Sequence, residues 1–132
     1  MSRDHRKLRV FQRADGLVLA VYRATRQFPA EERFGLQAQI RRAAVSAAAN
    51  IVEGSARRTA AEYVNFLNIA SGSAAEARYL IDLASRLGML LEDEATALEG
   101  GYRELSASLC ALIASLDPPD SRSRPVGRRL EP

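Results

Sequence analysis

Between Leu36 and Gly54 the chain reads LQAQIRRAAVSAAANIVEG, with no proline and no glycine before its last position. At 100° per residue, Leu36, Ile40, Ala43, Ala47 and Ile51 fall on one apolar stripe. Gln39, Ser46, Asn50 and Glu53 form a polar stripe directly beside it, with Arg42 on its outer edge. The remaining face holds Ala38, Val45, Ala48, Ala49 and Val52, and Arg41 is its only charge. A helix apolar on two sides is covered on two sides. The expectation is a helix in a packed bundle whose second face, marked by Val45 and Val52, meets another copy of the chain.

The flanking sequence supplies three more helices. Leu8, Val10, Phe11, Ala14, Leu17, Val18, Val21, Tyr22 and Thr25 recur at helical spacing until Phe28-Pro29, because the residue before proline avoids helical angles. The second helix is expected to begin among Pro29–Phe34, where a proline and two glutamates suit a first turn. Thr59 with Glu62 reads as a capping box opening a third helix, whose stripe is Tyr63, Phe66, Leu67, Ala70, Ala74, Ala77, Leu80, Ile81 and Ala84 and whose stop is Gly88. Gly72 in its middle predicts a close approach by another backbone. Leu98, Tyr102, Leu105, Leu109, Leu112 and Leu116 form a heptad seam for the fourth helix, with Asp93 as a candidate cap and Gly100-Gly101 as a candidate kink or delayed start. Short connections between such helices predict an all-α, up-down-up-down four-helix bundle over residues 8–116. Residues 1–7 read as a frayed, flexible basic arm. Residues 117–132, rich in Pro, Ser and Arg, read as a disordered tail.

Composition bounds what such a bundle can do. The 132 residues suffice for one domain, with 47% hydrophobic residues and no Trp. Apolar runs such as Ala43–Ala49 fall far short of the roughly 20 residues a membrane span needs. A single cysteine, Cys110, cannot form an internal disulfide, and this fits a reducing cytoplasm. In the fourth helix it reads as a small packed residue. The only histidine is His5, in the arm, so no Ser-His or Cys-His pair is held in place. Bundle metal centres need inward glutamates with a Glu-x-x-His motif, which is absent, and no glycine-rich phosphate loop occurs. The expectation is a non-enzymatic protein with no cofactor and no metal.

The net charge of +3 is unevenly spread. Five arginines between Arg33 and Arg58 oppose Glu53 alone, whereas Glu92, Asp93, Glu94, Glu99 and Glu104 face only Arg103. All but one of the 19 basic residues are Arg, which suits phosphate recognition, although a genome favouring Arg codons produces the same bias.

The segment from Phe28 to Gly54, FP-x-x-E-R-FGL-x-x-QIRRAA-x-S-x-x-x-NI-x-EG, resembles the four helix bundle protein family, also called the 23S-rRNA intervening-sequence protein family. A second block, A-x-GS-x-x-EA from Ala70 to Ala77, and Leu87-Gly88 extend the resemblance over roughly residues 8–116. One departure is Ala48, where the family often has proline. The resemblance implies a left-handed bundle assembled as a homopentamer. It implies no activity, since the family's role is not established. The related accessory proteins of diversity-generating retroelements, similar in fold and assembly, work with nucleic acid through a basic surface.

Two readings follow for the charged residues. Arg41, Arg42, Arg57 and Arg58 are candidate contacts to RNA or DNA, multiplied by symmetry in an oligomer. Alternatively, Arg41 and Arg42 pair with Glu53, Glu76 or the acidic start of the fourth helix. The base-stacking aromatics of sequence-specific RNA readers are missing from the pattern, so any binding is expected to go to the backbone. Gln39, Ser46, Asn50 and Glu53, with Ser73 and Glu76 from the third helix, are expected as a structural hydrogen-bond network. Partners are therefore a second copy, nucleic acid, or a protein encoded nearby, and no membrane.

Overall fold

The computed structural model describes residues 3–116 and contains four helices: α1 (Arg9–Ala24), α2 (Leu36–Ser55), α3 (Ala60–Arg86) and α4 (Glu92–Leu116). The expected tail, 117–132, lies outside the described residues. Each helix packs against its two neighbours in a ring, α1 on α2, α2 on α3, α3 on α4 and α4 on α1, and no diagonal pair approaches. No strand occurs among the described residues, and no helix is long and apolar enough to cross a membrane.

The core follows the periodicity. Ile40, Ala47, Ile51, Leu67, Ala70, Ile81, Tyr102, Leu105 and Leu109 are fully buried. Burying each large aliphatic side chain contributes about 1.5–3 kcal/mol, so these stripes dominate the stability of the bundle. Of the α4 seam, Leu112 and Leu116 are only half-buried, where the bundle opens at its end. Ala44 and Ala48 on α2 are buried too. Part of the second apolar face is thus covered within the subunit, because α2 packs against both α1 and α3. Val45 remains 42% exposed, Ala49 exposed and Val52 half-buried.

Helix ends differ in detail from the spacing-based expectation. Pro29 precedes a 3-10 turn, Ala30–Glu32, and α2 begins only at Leu36, whose N–H donates to Glu32 Oε1 at 2.8 Å. A carboxylate there complements the helix N-terminus. Thr59 caps α3 by accepting from Glu62 N–H. Gly88, at φ +79°, closes α3: its N–H donates to Ser85 and the N–H of Met89 to Ala84, a pair of bonds that needs the left-handed backbone glycine tolerates. Asp93 lies inside α4 rather than capping it, and α4 runs through Gly100-Gly101 without a break. At Gly101 the missing Cβ leaves room for Leu17 of α1. At Gly72 an added Cβ would meet nothing within 4 Å beyond the helix's own neighbouring backbone. The close approach expected there is absent within the subunit.

Of the arm expected to fray, 1–7, the described residues 3–7 are folded back along the α2–α3 end. Asp4 caps a 3-10 turn, His5–Lys7, through Arg6 N–H, and Arg3 N–H donates to Ser55 O at 2.8 Å. The Arg3 guanidinium lies 4.2 Å from the Tyr63 ring centre, and His5 meets Phe11 edge-on.

Candidate functional site

The polar stripe is only half a network. Ser46 Oγ and Ser73 Oγ lie 2.8 Å apart, and Asn50 Nδ2 donates to Ser46 O at 2.9 Å and to its Oγ at 3.1 Å. These three side chains are half-buried at the α2–α3 edge. Gln39, Glu53 and Glu76 are exposed, and no side-chain hydrogen bond of theirs occurs among the described residues. Gln39, Ser46 and Glu76 instead border, with Arg42, a shallow cleft of about 360 Å³. The stripe lies one step off the core face, so its far members reach water.

Arg41 has a specific position. Its Nε donates to Thr25 Oγ1 at 2.9 Å, one Nη donates to Tyr22 O at 3.2 Å, and the guanidinium lies 4.3 Å from the Tyr22 ring centre. Thr25 is the C-terminal cap of α1, and its hydroxyl donates back to Val21 O. Gln37 Nε2 donates to Thr25 O at 2.7 Å. Arg41 thereby donates to a carbonyl of the last turn of α1 and brings positive charge to its negative pole, while Gln37 adds a second donor to Thr25 O, which also accepts from Phe28 N–H. Arg42, one residue on, is exposed.

At the opposite end of α2, Arg57 donates through Nε to Glu53 O at 3.2 Å and lies 5.2 Å from the Phe66 ring centre, while Arg58 is exposed. Fourteen helical steps from Arg41 to Ser55, the end of α2, span about 21 Å at 1.5 Å per residue, and Arg57 lies beyond that end. The two arginine pairs are separate basic regions of one subunit. Among the described residues, ion pairs join Arg6 to Asp4 and Arg86 to Asp82. Within the subunit, neither Arg41 nor Arg42 pairs with Glu53, Glu76 or the start of α4 among the described residues.

A larger cleft of about 800 Å³ lies between the end of α1, the α1–α2 connection and the first turns of α2. Arg26, Arg33, Arg41 and Arg42 line it together with Tyr22, Phe34 and Val45. Phe34 is 88% exposed and Tyr22 40%. Periodicity alone does not find this site, because Phe34 precedes the first turn of α2 and Arg26 follows the last of α1. The available signal is a large aromatic beside Gly35 in a polar connection.

Catalytic groupings are not assembled. Cys110 is exposed on α4, not packed as expected, since it sits a helical step beyond the Leu109 stripe. No cluster of metal-ligating side chains exists among the described residues. Two buried hydroxyls, Tyr63 Oη and Tyr102 Oη, have no hydrogen-bond partner among the described residues. Burial pushes both phenols above their ordinary range, Tyr63 less so because Arg3 is close by.

The sequence profile described as 23S rRNA-intervening sequence protein matches residues 6–111. The chain belongs to this family. The match spans α1, α2, α3 and most of α4. A solved structure from Bacteroides thetaiotaomicron, a protein of unknown function from the S23 ribosomal protein family, is similar with a TM-score of 0.74 and 23% identity, covering 79% of this chain and 97% of that one. At that identity the likeness concerns the fold. No curated protein matches the chain. In this intervening-sequence protein the motif residues Phe28, Leu36, Ile40 and Ile51 are core, and Arg41 braces α1. Phe34 is the large apolar residue of the motif that faces solvent.

Proposed function

We propose that this intervening-sequence protein acts by binding rather than catalysis: a left-handed bundle that self-associates, as a homopentamer, and offers basic surface to RNA phosphates. The observation that carries the reading is a set of exposed arginines, Arg26, Arg33, Arg42 and Arg58, none of them in an ion pair among the described residues. Unneutralised guanidinium groups attract phosphate, and repetition by symmetry multiplies the attraction. Arg42 and Arg58 are the freest contacts. Arg41 and Arg57 contribute the N–H groups that their intramolecular bonds leave over. Val45 and Val52, on the outer face of α2, are placed in the interface between copies. The exposed free thiol of Cys110 fits a reducing cytoplasm.

The test is a fluorescence titration with a structured RNA hairpin at about 50 and about 200 mM salt, a range over which several phosphate contacts change affinity steeply. Tight binding at the lower salt is expected, weakened by salt, by Arg57→Ala with Arg58→Ala, and further by Arg42→Ala. Absence of binding at low salt, or binding indifferent to Arg57 and Arg58, removes the nucleic-acid role.

A second reading, a purely structural or protein-binding oligomer, is favoured by the intramolecular use of Arg41 and Arg57, which both donate to backbone carbonyls. The same titration separates the two, since this reading requires no affinity for RNA.

A further inference from the structure

The α3–α4 turn carries the exposed apolar pair Leu87, 57% exposed, and Leu91, 66% exposed. Three exposed or half-exposed acids, Glu92, Asp93 and Glu94, follow at once as the first turn of α4. The α1–α2 cleft has the opposite character: Phe34 and Tyr22 beside Arg26, Arg33, Arg41 and Arg42. We propose that the leucine-and-acid turn of one copy seats in the aromatic-and-arginine cleft of the next. This rests on the self-association proposed above and names its two surfaces; Arg26, Arg33 and Arg42 then serve the neighbouring copy, and Arg57 and Arg58, beyond the other end of α2, are the basic surface left to RNA.

Charge selects the occupant. Two clefts brought together across a twofold axis would set four arginines against four arginines, so a cleft does not pair with itself. The acidic turn supplies the missing negative charge, and its leucines supply apolar surface for Phe34. Nucleic acid is the weaker fit at this place. The Arg41 guanidinium lies 4.3 Å from the Tyr22 ring centre and takes up one face of that ring, so Phe34 is the one widely exposed aromatic, short of the series of rings on which successive bases stack.

The geometry of assembly follows from the helix order. The α1–α2 and α3–α4 connections lie at the same end of an antiparallel bundle, on opposite sides of the helix ring. Each copy then uses its cleft on one side and its turn on the other, with bundles side by side and pointing the same way. Such a contact is heterologous, and its closed forms are cyclic rings.

Light scattering on charge-reversed chains tests the pairing. Arg26→Glu with Arg33→Glu reverses the cleft, and Glu92→Arg with Asp93→Arg reverses the turn; all four side chains are exposed, so circular dichroism should be unchanged. Each reversed chain is expected to fall toward the 14.4 kDa monomer mass. The two mixed together should reassemble with alternating chains, since each supplies the charge that the other's cleft and turn require, and one chain bearing all four changes should recover the parent mass. Phe34→Ala and Leu91→Ser should lower the mass without touching charge. Unchanged masses in both reversed chains overturn the pairing, as does failure of the fourfold chain to recover. Loss of RNA affinity with mass intact in the cleft-reversed chain overturns it in favour of a nucleic-acid cleft. A parent protein that is itself monomeric overturns self-association as a whole, an outcome distinct from the others.

Discussion

Ser46 Oγ lies 2.8 Å from Ser73 Oγ, a side-chain hydrogen bond that joins α2 to α3 midway along both helices. Asn50 donates to the same Ser46 oxygen from one turn further along α2. Ser46→Ala removes the shared atom and leaves the Ser73 hydroxyl and one Asn50 donor without that partner. The expected loss is about 1 kcal/mol, small because the site is half-buried and water can replace the bond. Urea denaturation at fixed protein concentration measures it. A Ser46→Ala, Ser73→Ala cycle should be non-additive, since the two side chains share one interaction.

Gly54 and Gly72 are expected to respond oppositely to the same change. A Cβ on Gly54 would stand 2.9 Å from Phe66 Cβ and 3.0 Å from Tyr63 Cδ1, and the first of these is anchored to the α3 backbone. Gly54→Ala should destabilise by about 1–3 kcal/mol through overpacking. Gly72 has open space around it, so Gly72→Ala should stabilise α3 by about 0.5–1 kcal/mol by restricting the unfolded chain and removing the helix cost of glycine. Thermal denaturation of the two variants should move the midpoint in opposite directions.

Val45 and Ile40 separate assembly from folding. Val45 is 42% exposed, whereas Ile40 is fully buried. Val45→Asp should leave the helical circular dichroism signal intact and lower the mass seen by light scattering. Val52→Asp should do the same. Ile40→Asp places an unpaired charge in the core and should unfold the subunit.

Tyr102 predicts an alkaline limit to stability. Its hydroxyl is buried without a partner, and burial holds the phenol above its ordinary value of 10.0. The unfolded chain therefore releases this proton at lower pH than the native state does. Stability contributed by the neutral native phenol is full below about pH 10 and declines as pH rises beyond it. Tyr63 acts in the same direction. Tyr102→Phe should be neutral or stabilising at pH 7, because it removes a desolvated hydroxyl, and should flatten the decline between about pH 9 and about pH 11 in urea midpoints.

The site was less legible than the fold. Ser46, Asn50 and Ser73 meet as their spacing suggests, but Gln39, Glu53 and Glu76 stay in water, because whether a stripe beside the core is covered depends on how far the neighbouring helix overlaps it. Arg41 reads as a surface cation in sequence. Its role at the end of α1 appears only when α2 runs back past Thr25 and Tyr22. The Phe34 cleft is assembled from two helix ends and a connection, segments with no periodicity to read.

Helical spacing by itself determined the four helices, the buried stripes of α2 and α3, the Thr59 cap and the Gly88 stop, because these depend on 3.6-residue periodicity and on local backbone chemistry. Tertiary structure alone decided that the Arg3 arm folds onto Ser55 and Tyr63, that α4 continues through Gly100-Gly101 against Leu17, and that Ala44 and Ala48 are buried while Val45 is not. Each of these depends on which other segment lies within a few ångströms, and the ring order of the packed helices sets that.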